Sequence, residues 1–242
     1  MRKIIIISLC LLAFAQAKAQ FSVSYYAGYA SYDMKDMKDL HKMLQETWIN
    51  SNDAVYADNF EGGIAHTIDL GYRLNKGEQK RNIYEVGNIY EVGLKGSLYT
   101  TKGHLYSKSD PGTYNSSFDM SAIRGGVYIR DYFYNRISND HIKLSVFYEL
   151  SPAIIFSRIK QDAIIRTSYS KLQNNTCWSI LGQLGLRYYV TPAVGINATI
   201  GYDFTPGADF YTEHSRDINP SDKWAGIRAS LGVSYTLNKW KR

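Results

Sequence analysis

The stretch Ala225–Leu237, AGIRASLGVSYTL, decides the fold of this chain. Its odd-numbered residues are apolar or aromatic, ending at Tyr235 and Leu237, whereas its even-numbered residues are glycine, serine, threonine or Arg228. Successive side chains of a β-strand point to opposite faces of the sheet. The alternation therefore predicts a strand with one apolar face and one polar face.

The same two-residue period recurs along the rest of the chain. Most of these segments reach about ten residues, which is long enough to cross a bilayer at a tilt and longer than the usual strand of a soluble protein. We therefore predict an all-β fold, an eight-stranded antiparallel up-and-down transmembrane β-barrel. The seven upstream segments are Phe21–Tyr29, Ile64–Leu74, Tyr90–Leu98, Ile123–Phe133, Ile142–Leu150, Trp178–Val190 and Val194–Phe204.

The connections between these segments alternate in length. Bacterial barrels have short periplasmic turns and long external loops, and an even number of strands leaves both termini in the periplasm. The pattern predicts a protein of the bacterial outer membrane with that orientation. The predicted turns are Asn75–Asn82, Asn135–Asp140 and Thr191–Ala193, and the predicted loops are Asp33–Gly62, Thr101–Asp119, Ser157–Thr176 and Thr205–Lys223.

The N-terminus has the organisation of a secretory signal peptide. Met1–Lys3 is basic, Ile4–Ala15 is apolar, and Ala17–Ala19 matches a small-x-small cleavage site. We expect residues 1–19 to be removed and residues 20–242 to form the barrel domain. No later segment is apolar enough over about 18 residues to predict a transmembrane helix.

Composition narrows the range of functions. The chain has 21 tyrosines, a residue suited to strands and to the membrane–water boundary. Its formal net charge of +6 includes three cations of the signal segment, and it contains no basic block. Nucleic acid is therefore not an expected partner. Cys177 is the single cysteine after residue 19, so we expect neither an internal disulfide nor a cysteine-based metal site.

Residues Asp33–Ile49 of the first long loop carry a helical pattern. A short amphipathic helix is predicted, and it would either cap the barrel mouth, lie at the membrane surface or contact a partner. Its apolar residues fall at helical spacing and are Met34, Met37, Leu40, Leu44 and Trp48.

The polar faces of the strands place charges of both signs in the lumen. An eight-stranded barrel is just wide enough for its interior to be filled by side chains, and buried charges must be paired or hydrated. We predict a salt-bridged, partly wet lumen; the alternative is an ion path along the arginines. The predicted polar network is Asp69, Arg73, Glu91, Lys95, Arg124, Arg130, Lys143, Glu149, Arg187, Asp203 and Arg228.

No catalytic, cofactor or metal motif is present in the sequence. The five histidines have no metal-ligand spacing, and there is no G-x-S-x-G motif. Glu213–Asp217 places Ser215 beside His214, which is interpreted as a polar exposed loop rather than a hydrolase or acyltransferase site. We therefore expect a protein without enzymatic activity. The hexapeptide NIYEVG occurs in tandem, at Asn82–Gly87 and Asn88–Gly93, and is interpreted as a neutral duplication that keeps the strand register.

The final strand also carries a family resemblance. Ser230, Gly232, Tyr235 and Leu237 are similar to the C-terminal signal that the barrel-assembly machinery reads, although this strand ends on leucine and residues 238–242 follow it. In overall pattern the chain resembles small outer-membrane barrels of the OmpA/OmpX-like or PorT-like type. The Ala19–Gln20 junction resembles that of exported Bacteroidetes proteins. The resemblance implies a membrane barrel and does not imply a task.

These observations lead to a hypothesis about function. We expect an integral outer-membrane barrel whose external loops have a structural or surface-interaction role. Expected partners are outer-membrane lipid and lipopolysaccharide, the assembly machinery, and a surface protein or glycan. The alternatives are a narrow channel or secretion accessory, a lipid-A-modifying enzyme, and a soluble periplasmic barrel that binds an apolar ligand.

Overall fold

The computed structural model describes residues 20–48, 55–75, 89–107, 114–138, 141–165, 167–209 and 221–237. The predicted signal peptide, the first NIYEVG copy, the Glu213–Asp217 segment and the last five residues lie outside these ranges. The elements are β1 (Gln20–Ala30), α1 (Lys35–Trp48), β2 (Val55–Asn59), β3 (Gly63–Asn75), β4 (Ile89–Ser107), β5 (Tyr114–Ser138), β6 (His141–Ile165), β7 (Thr167–Tyr189), β8 (Val194–Phe204) and β9 (Gly226–Leu237).

Eight of the described strands form a closed antiparallel ring. The order around the barrel is β1, β3, β4, β5, β6, β7, β8 and β9, and β9 pairs again with β1. The closing register runs from Phe21 opposite Leu237 to Ala30 opposite Arg228. The predicted eight-stranded up-and-down barrel is therefore confirmed. Strand β2 lies outside the ring order and pairs with the far end of β4.

The outer surface carries a continuous apolar belt. Side chains such as Ile64 (67% exposed) and Leu231 (68% exposed) face outward and are not covered by other parts of the described chain. An apolar surface of this extent is tolerated only against another apolar phase, which for a closed barrel is the lipid bilayer. Aromatic side chains border the belt at both ends: Tyr29, Phe156, Trp178 and Phe204 at one end, and Phe21, Phe133, Tyr134, Tyr148, Tyr188 and Tyr235 at the other.

The two ends of the barrel differ. The end that carries Gln20, Leu237 and the turn between β7 and β8 is called the turn end here, and the opposite end, with α1, is called the loop end. In the predicted turn Thr191–Ala193, the Val190 and Thr191 amides donate to the Val194 carbonyl over 2.9 Å and 3.2 Å. Within the described ranges, no helix is both long and apolar enough to cross a membrane.

Four strands are much longer than the sequence predicted. Strands β4, β5, β6 and β7 contain 19, 25, 25 and 23 residues. The predicted loops Thr101–Asp119 and Ser157–Thr176 are therefore wrong, because most of their residues are paired strand. The pairing continues unbroken from Tyr99 opposite Ala122 to Tyr106 opposite Asn115. Outward residues become polar beyond the belt, so the amphipathic alternation ends while the backbone ladder continues.

The predicted loop Asp33–Gly62 also contains regular structure, namely α1 and β2. Strands β2 and β3 are two parts of one path along β4, separated by a kink at Phe60, whose φ is 45°. The Phe60 amide donates to the Lys102 carbonyl over 3.0 Å, and the Phe60 side chain is fully buried. The kink therefore turns the phenyl ring of Phe60 toward the lumen.

A β-bulge adjusts β5 at the turn end. Between Asp131 and Tyr134 the strand has one more residue than its partner has between Tyr148 and Val146. As a result Phe133 and Tyr134 both face outward, and Asn135 returns to the buried face. The bulge therefore places two neighbouring aromatic rings at the edge of the belt.

Two glycines of β7 provide a matched test of inward packing. A Cβ on Gly185 would lie 2.2 Å from the Phe147 ring, whereas a Cβ on Gly182 would meet nothing within 4 Å. We expect Gly185→Ala to lower the free energy of unfolding by about 1–3 kcal/mol through overpacking. Gly182→Ala should leave it unchanged or raise it slightly. Urea unfolding in lipid vesicles measures both, and equal effects of the two substitutions would contradict the inward position of Gly185.

Candidate functional site

The interior of the barrel is filled by charged side chains. The lumen network is defined as the charged residues that are at least nine-tenths buried inside the ring. Inward-facing positions of the strands supply all of them, as the alternation predicts. They are Asp69, Arg73, Glu91, Lys95, Arg124, Arg130, Glu149, Arg187, Asp203 and Arg228.

Glu91 is the hub of the lower cluster, which lies toward the turn end. Its Oε1 accepts from Arg130 Nη1 at 2.7 Å, and its Oε2 lies 3.3 Å from both Arg73 Nη2 and Arg187 Nη1. The hydroxyls of Tyr128 and Tyr132 also donate to this carboxylate, over 2.8 Å and 2.9 Å. Three guanidinium groups and two hydroxyls therefore surround one buried carboxylate.

Arg130 connects Glu91 to two more carboxylates of the same cluster. Its Nη2 lies 2.8 Å from Asp69 Oδ2 and 2.5 Å from Glu149 Oε2. Lys95 Nζ lies 2.6 Å from Glu149 Oε1 and 3.5 Å from Asp69 Oδ1. These four side chains come from β3, β4, β5 and β6, so the ion pairs hold four neighbouring strands in one arrangement.

The upper cluster lies nearer the loop end. Arg124 Nε lies 3.4 Å from Asp203 Oδ2, and Arg228 Nη2 lies 3.6 Å from the same oxygen. The Tyr99 hydroxyl donates to Asp203 over 3.2 Å. Arg124 also donates to Ser179 and Ser151. Because Asp203 belongs to β8, Arg124 to β5 and Arg228 to β9, this cluster links three strands.

A small cavity with both polar and apolar walls lies between the two clusters. Its volume is about 30 Å³, and its walls include Lys95, Arg228, Gln183 and Thr199. A space of this size holds roughly two water molecules. The lumen is thus packed by side chains above and below a small cavity.

The structure brings together ten of the eleven residues named from the sequence. The exception is Lys143, which is only half-buried near the turn end and lies outside both clusters. Aromatic rings lie beneath several of these cations, which the sequence pattern had not indicated. The Arg130 guanidinium lies 4.5 Å from the centre of the Phe147 ring, and Arg228 lies 4.6 Å from that of Tyr99. Phe147 in β6 and Tyr99 in β4 occupy inward-facing positions of the two-residue alternation, and this was the signal available in the sequence.

Helix α1 closes the loop end of the lumen. Met34, just before the helix, and Met37, Leu40 and His41 on one helix face are almost completely buried. The His41 ring lies 5.1 Å from the ring of Phe60. Of the three roles left open by the sequence, the structure shows the first: α1 caps the barrel mouth. The apolar cluster beneath it contains Ala30, Tyr32, Phe60, Ala65, Tyr99, Leu105, Phe118, Met120, Ala122, Ile155, Ile159, Cys177 and Trp224.

The segment before β9 completes the closure. Trp224 is fully buried, 5.0 Å from the Tyr32 ring, and Lys223 Nζ lies 2.8 Å from Asp33 Oδ2. The buried Asp222 carboxylate accepts from the Ala208 amide at 2.9 Å and also from the Ser157 hydroxyl. Burial raises the pKa of Asp222 despite these hydrogen bonds. The cap therefore contains a carboxyl group whose charge is costly.

Beyond the belt, the long strands form a feature called here the strand extension, residues 99–107, 114–122, 157–165 and 167–177. It continues for roughly 25–30 Å at about 3.3 Å per residue. Its inward side chains, including Leu105 and Phe118, belong to the buried cluster. Its exposed outward side chains are polar or charged almost throughout: Thr100, Lys102, Asp119, Arg158, Lys160, Asn174 and Thr176.

The residues of the predicted assembly signal divide between the two faces of β9. Tyr235 and Leu237 are 50% and 56% exposed on the belt, and Ser230 and Gly232 face inward. Since β9 pairs with both β8 and β1, this strand also closes the ring.

The described part of the chain contains no cluster of metal-ligand side chains. Its His, Cys, Asp and Glu side chains form no group of three able to hold a metal ion. Cys177 is buried, with its Sγ 3.2 Å from Thr205 Oγ1. The polar segment Glu213–Asp217 lies outside the described residues.

The closed ring, the belt and the charged lumen define the class: the chain is a transmembrane β-barrel of the outer-membrane type. No protein-family model and no curated protein sequence matches it.

Solved structures of similar architecture are small outer-membrane barrels. The chain is similar to the attachment invasion locus protein Ail of Yersinia pestis (15% identity, TM-score 0.34, covering 90% of this chain and 99% of Ail), which was solved with the heparin analogue sucrose octasulfate. It is similar to OprG of Pseudomonas aeruginosa (11% identity, TM-score 0.44, 91% and 96%). It is also similar to Neisserial surface protein A (15% identity, TM-score 0.42, 91% and 98%).

Glu91→Gln tests the hub of the lower cluster. Removing one partner of a buried ion pair leaves the remaining charges uncompensated, so we expect a loss of about 3–5 kcal/mol in the free energy of unfolding. The control is Asp119→Asn, which breaks an exposed pair with Lys102 and should cost about 1 kcal/mol or less. Urea unfolding in vesicles compares them, and a cost for Glu91→Gln as small as that of the control would refute the hub.

Asp222→Asn tests the carboxyl group in the cap. Because the folded protein raises this pKa, the wild type loses stability relative to the variant as pH rises from about 4, near the unfolded value, through the folded pKa. Below the unfolded pKa both states are protonated and this penalty is absent. Unfolding free energies of the two proteins, measured between about pH 3.5 and 8, give this difference. A difference that does not change with pH would show that the Asp222 pKa is not raised.

Proposed function

We propose that this protein is a non-enzymatic barrel of the bacterial outer membrane whose strand extension and loops contact a surface protein or glycan. In the proposed orientation the loop end faces the outside of the cell and both termini face the periplasm. The observation that carries the proposal is the strand extension: four paired strands continue well beyond the belt with a polar outer face.

The closed lumen supports this role over that of a channel. Two ion-pair clusters fill the ring, and α1 covers its loop end with buried methionine and leucine side chains. An ion crossing the barrel would have to break buried ion pairs as well as displace the cap, which is costly in a low-dielectric interior. A structural or binding role needs no such opening.

The strand extension supplies a rigid surface for recognition. Its backbone is paired on both sides in β5 and β6, so its shape does not depend on loop ordering. Polar and charged side chains on a preorganised sheet suit polar partners, because little conformational entropy is lost on binding. Lys102, Arg158 and Lys160 also lie just beyond the belt, where phosphate groups of lipopolysaccharide would meet them.

At a finer level, we propose that the chain is a PorT-like barrel exported by a signal peptide of residues 1–19. The pattern Ser230, Gly232, Tyr235 and Leu237 supports delivery to the barrel-assembly machinery, since its aromatic and aliphatic members lie on the outer face of the closing strand. The proposal predicts that the chain isolated from outer membranes begins at Gln20 and changes gel mobility on boiling.

Cysteine labelling in intact cells tests the orientation. Asn174→Cys lies on the strand extension and Thr191→Cys lies in the turn at the opposite end, and both positions are exposed. A membrane-impermeant maleimide should label Asn174→Cys, whereas Thr191→Cys should react only after the cells are opened. The wild type is the background control because Cys177 is buried. The reverse labelling pattern would overturn the proposed orientation.

The surface-interaction role is tested by binding. The barrel in nanodiscs would be applied to immobilised lipopolysaccharide, heparin and a neutral-glycan panel, together with the double variant Arg158→Ser and Lys160→Ser. We expect the variant to lose at least tenfold in affinity for the bound probe, while Thr191→Ala keeps it. Equal binding by both variants would remove the role of the strand extension. Stable conductance of the wild type in planar bilayers would instead support a narrow channel.

The absence of enzymatic activity is tested separately. Expression in a Gram-negative host should leave the mass of lipid A unchanged in both the wild type and His214→Ala. A change of mass produced by the wild type and lost in His214→Ala would establish lipid-A modification and contradict the proposal.

A further inference from the structure

The lower cluster of the lumen contains more positive than negative charge. Its buried cations are Arg73, Lys95, Arg130 and Arg187, and its buried carboxylates among the described residues are Asp69, Glu91 and Glu149. Asp69 and Glu149 lie against Lys95 and Arg130. The excess charge is therefore located on Arg73 and Arg187.

These two arginines share a single oxygen atom. Arg73 Nη2 and Arg187 Nη1 are each 3.3 Å from Glu91 Oε2, and Arg130 already takes the other oxygen of that carboxylate. Both guanidinium groups also face the same Tyr132 ring, at 4.9 Å and 5.4 Å from its centre. Two like charges at this separation repel strongly in a buried environment, and one shared carboxylate does not neutralise them.

The same corner has donors without acceptors. Arg73 Nε, Arg187 Nη2 and Asn197 Nδ2 are buried and form no hydrogen bond of normal geometry with the described chain. The Tyr189 hydroxyl is the nearby oxygen that both guanidinium groups approach. Asn197 is linked to the site because its Oδ1 accepts from Arg187 Nε at 2.7 Å. Buried donors and unpaired positive charge occur at one place, and both are satisfied by the same kind of group, an anion.

The upper cluster differs in this respect, although it also has two arginines for one aspartate. There the backbone supplies acceptors: Arg228 donates to the carbonyls of Ser31, Ile227 and Trp224, and Arg124 donates to that of Ser151. Carbonyl and hydroxyl oxygens thus accept from five of the six nitrogen atoms of these two guanidinium groups, and Arg228 Nε is the one without a hydrogen-bond partner among the described residues. The lower arginines have no such carbonyl partners among the described hydrogen bonds.

We propose that Arg73, Arg187 and Asn197 form a binding site for one small inorganic anion of about the size of chloride, at the turn end of the lumen. Arg73 keeps a few per cent of its surface exposed there, so the site is next to the aqueous phase. Bound anion neutralises the excess charge and accepts from the buried donors, and it stabilises the closed lumen. The class is small and inorganic because Arg73, Arg187 and Asn197 are almost completely buried, so that only a small ligand would reach all three side chains.

The first experiment measures thermal unfolding of the full barrel in detergent, in sodium chloride and in sodium gluconate at equal ionic strength. Ligand that binds only the folded state raises Tm with concentration. We expect chloride to raise Tm by roughly 2–4 °C over gluconate. The rise should disappear in Arg73→Gln and in Arg187→Gln, and it should persist in the control Arg228→Gln. A Tm that does not depend on the anion would overturn the proposal and indicate that a carboxylate of the chain neutralises the arginines.

A second measurement does not depend on the stability of any variant. Crystals of the wild-type barrel grown in sodium bromide should show an anomalous bromide peak beside Arg73 Nε and Arg187 Nη2. A peak that appears only beside Arg228, or no peak in the lumen, would contradict the assignment. Sulfate or phosphate replacing bromide at the same position with an equal rise in Tm would contradict the size limit.

Discussion

The constraint on which this structure depends is that lipid offers no hydrogen-bond partners to a peptide backbone. A sheet inside a bilayer must therefore pair every strand on both sides, and it does so only by closing. Pairing of β9 with β1 completes that closure, from Phe21 opposite Leu237 to Ala30 opposite Arg228. Once the ring is closed at eight strands, its radius is fixed, and alternate side chains must fill a narrow interior.

The narrow interior explains the charged lumen. Polar residues on inward faces are excluded from lipid, yet they are also removed from bulk water, so their charges need partners. Glu91 gathers three arginines, and Arg130 joins three carboxylates. Because these side chains come from different strands and share partners, loss of one side chain leaves several buried charges without a partner. The same arrangement fills the lumen with side chains, and the imbalance of charge near Arg73 is the basis of the proposed anion site.

The two ends of the barrel use different interactions. At the loop end, α1 and the Trp224 segment cover the lumen with apolar side chains, and the strand extension raises a polar wall around them. At the turn end, the chain reverses tightly and the arginine pair lies near the opening. Contact with partners beyond the membrane is thus proposed for one end and anion binding for the other. The two proposals fail independently, since one rests on the outward residues of the extension and the other on Arg73 and Arg187.

The barrel, and the side of the sheet on which each side chain lies, follow from the amino-acid sequence alone. A period of two residues assigns each position to lipid or lumen without reference to distant strands. Residues 227–237, Asp69 and Arg130 were assigned correctly on that basis, whereas Ala225, which was predicted on the outward face, lies before β9 and is fully buried. The length of the strands could be seen only in the folded chain, because beyond the belt no lipid requires the outward residues to be apolar. The pairing of the lumen charges likewise required the folded chain, because ion pairs such as Arg187 with Glu91 depend on the stagger of strands around a closed ring. The role of α1 was settled in the same way: its amphipathic pattern fits any apolar surface, and the barrel mouth is the one that the fold provides.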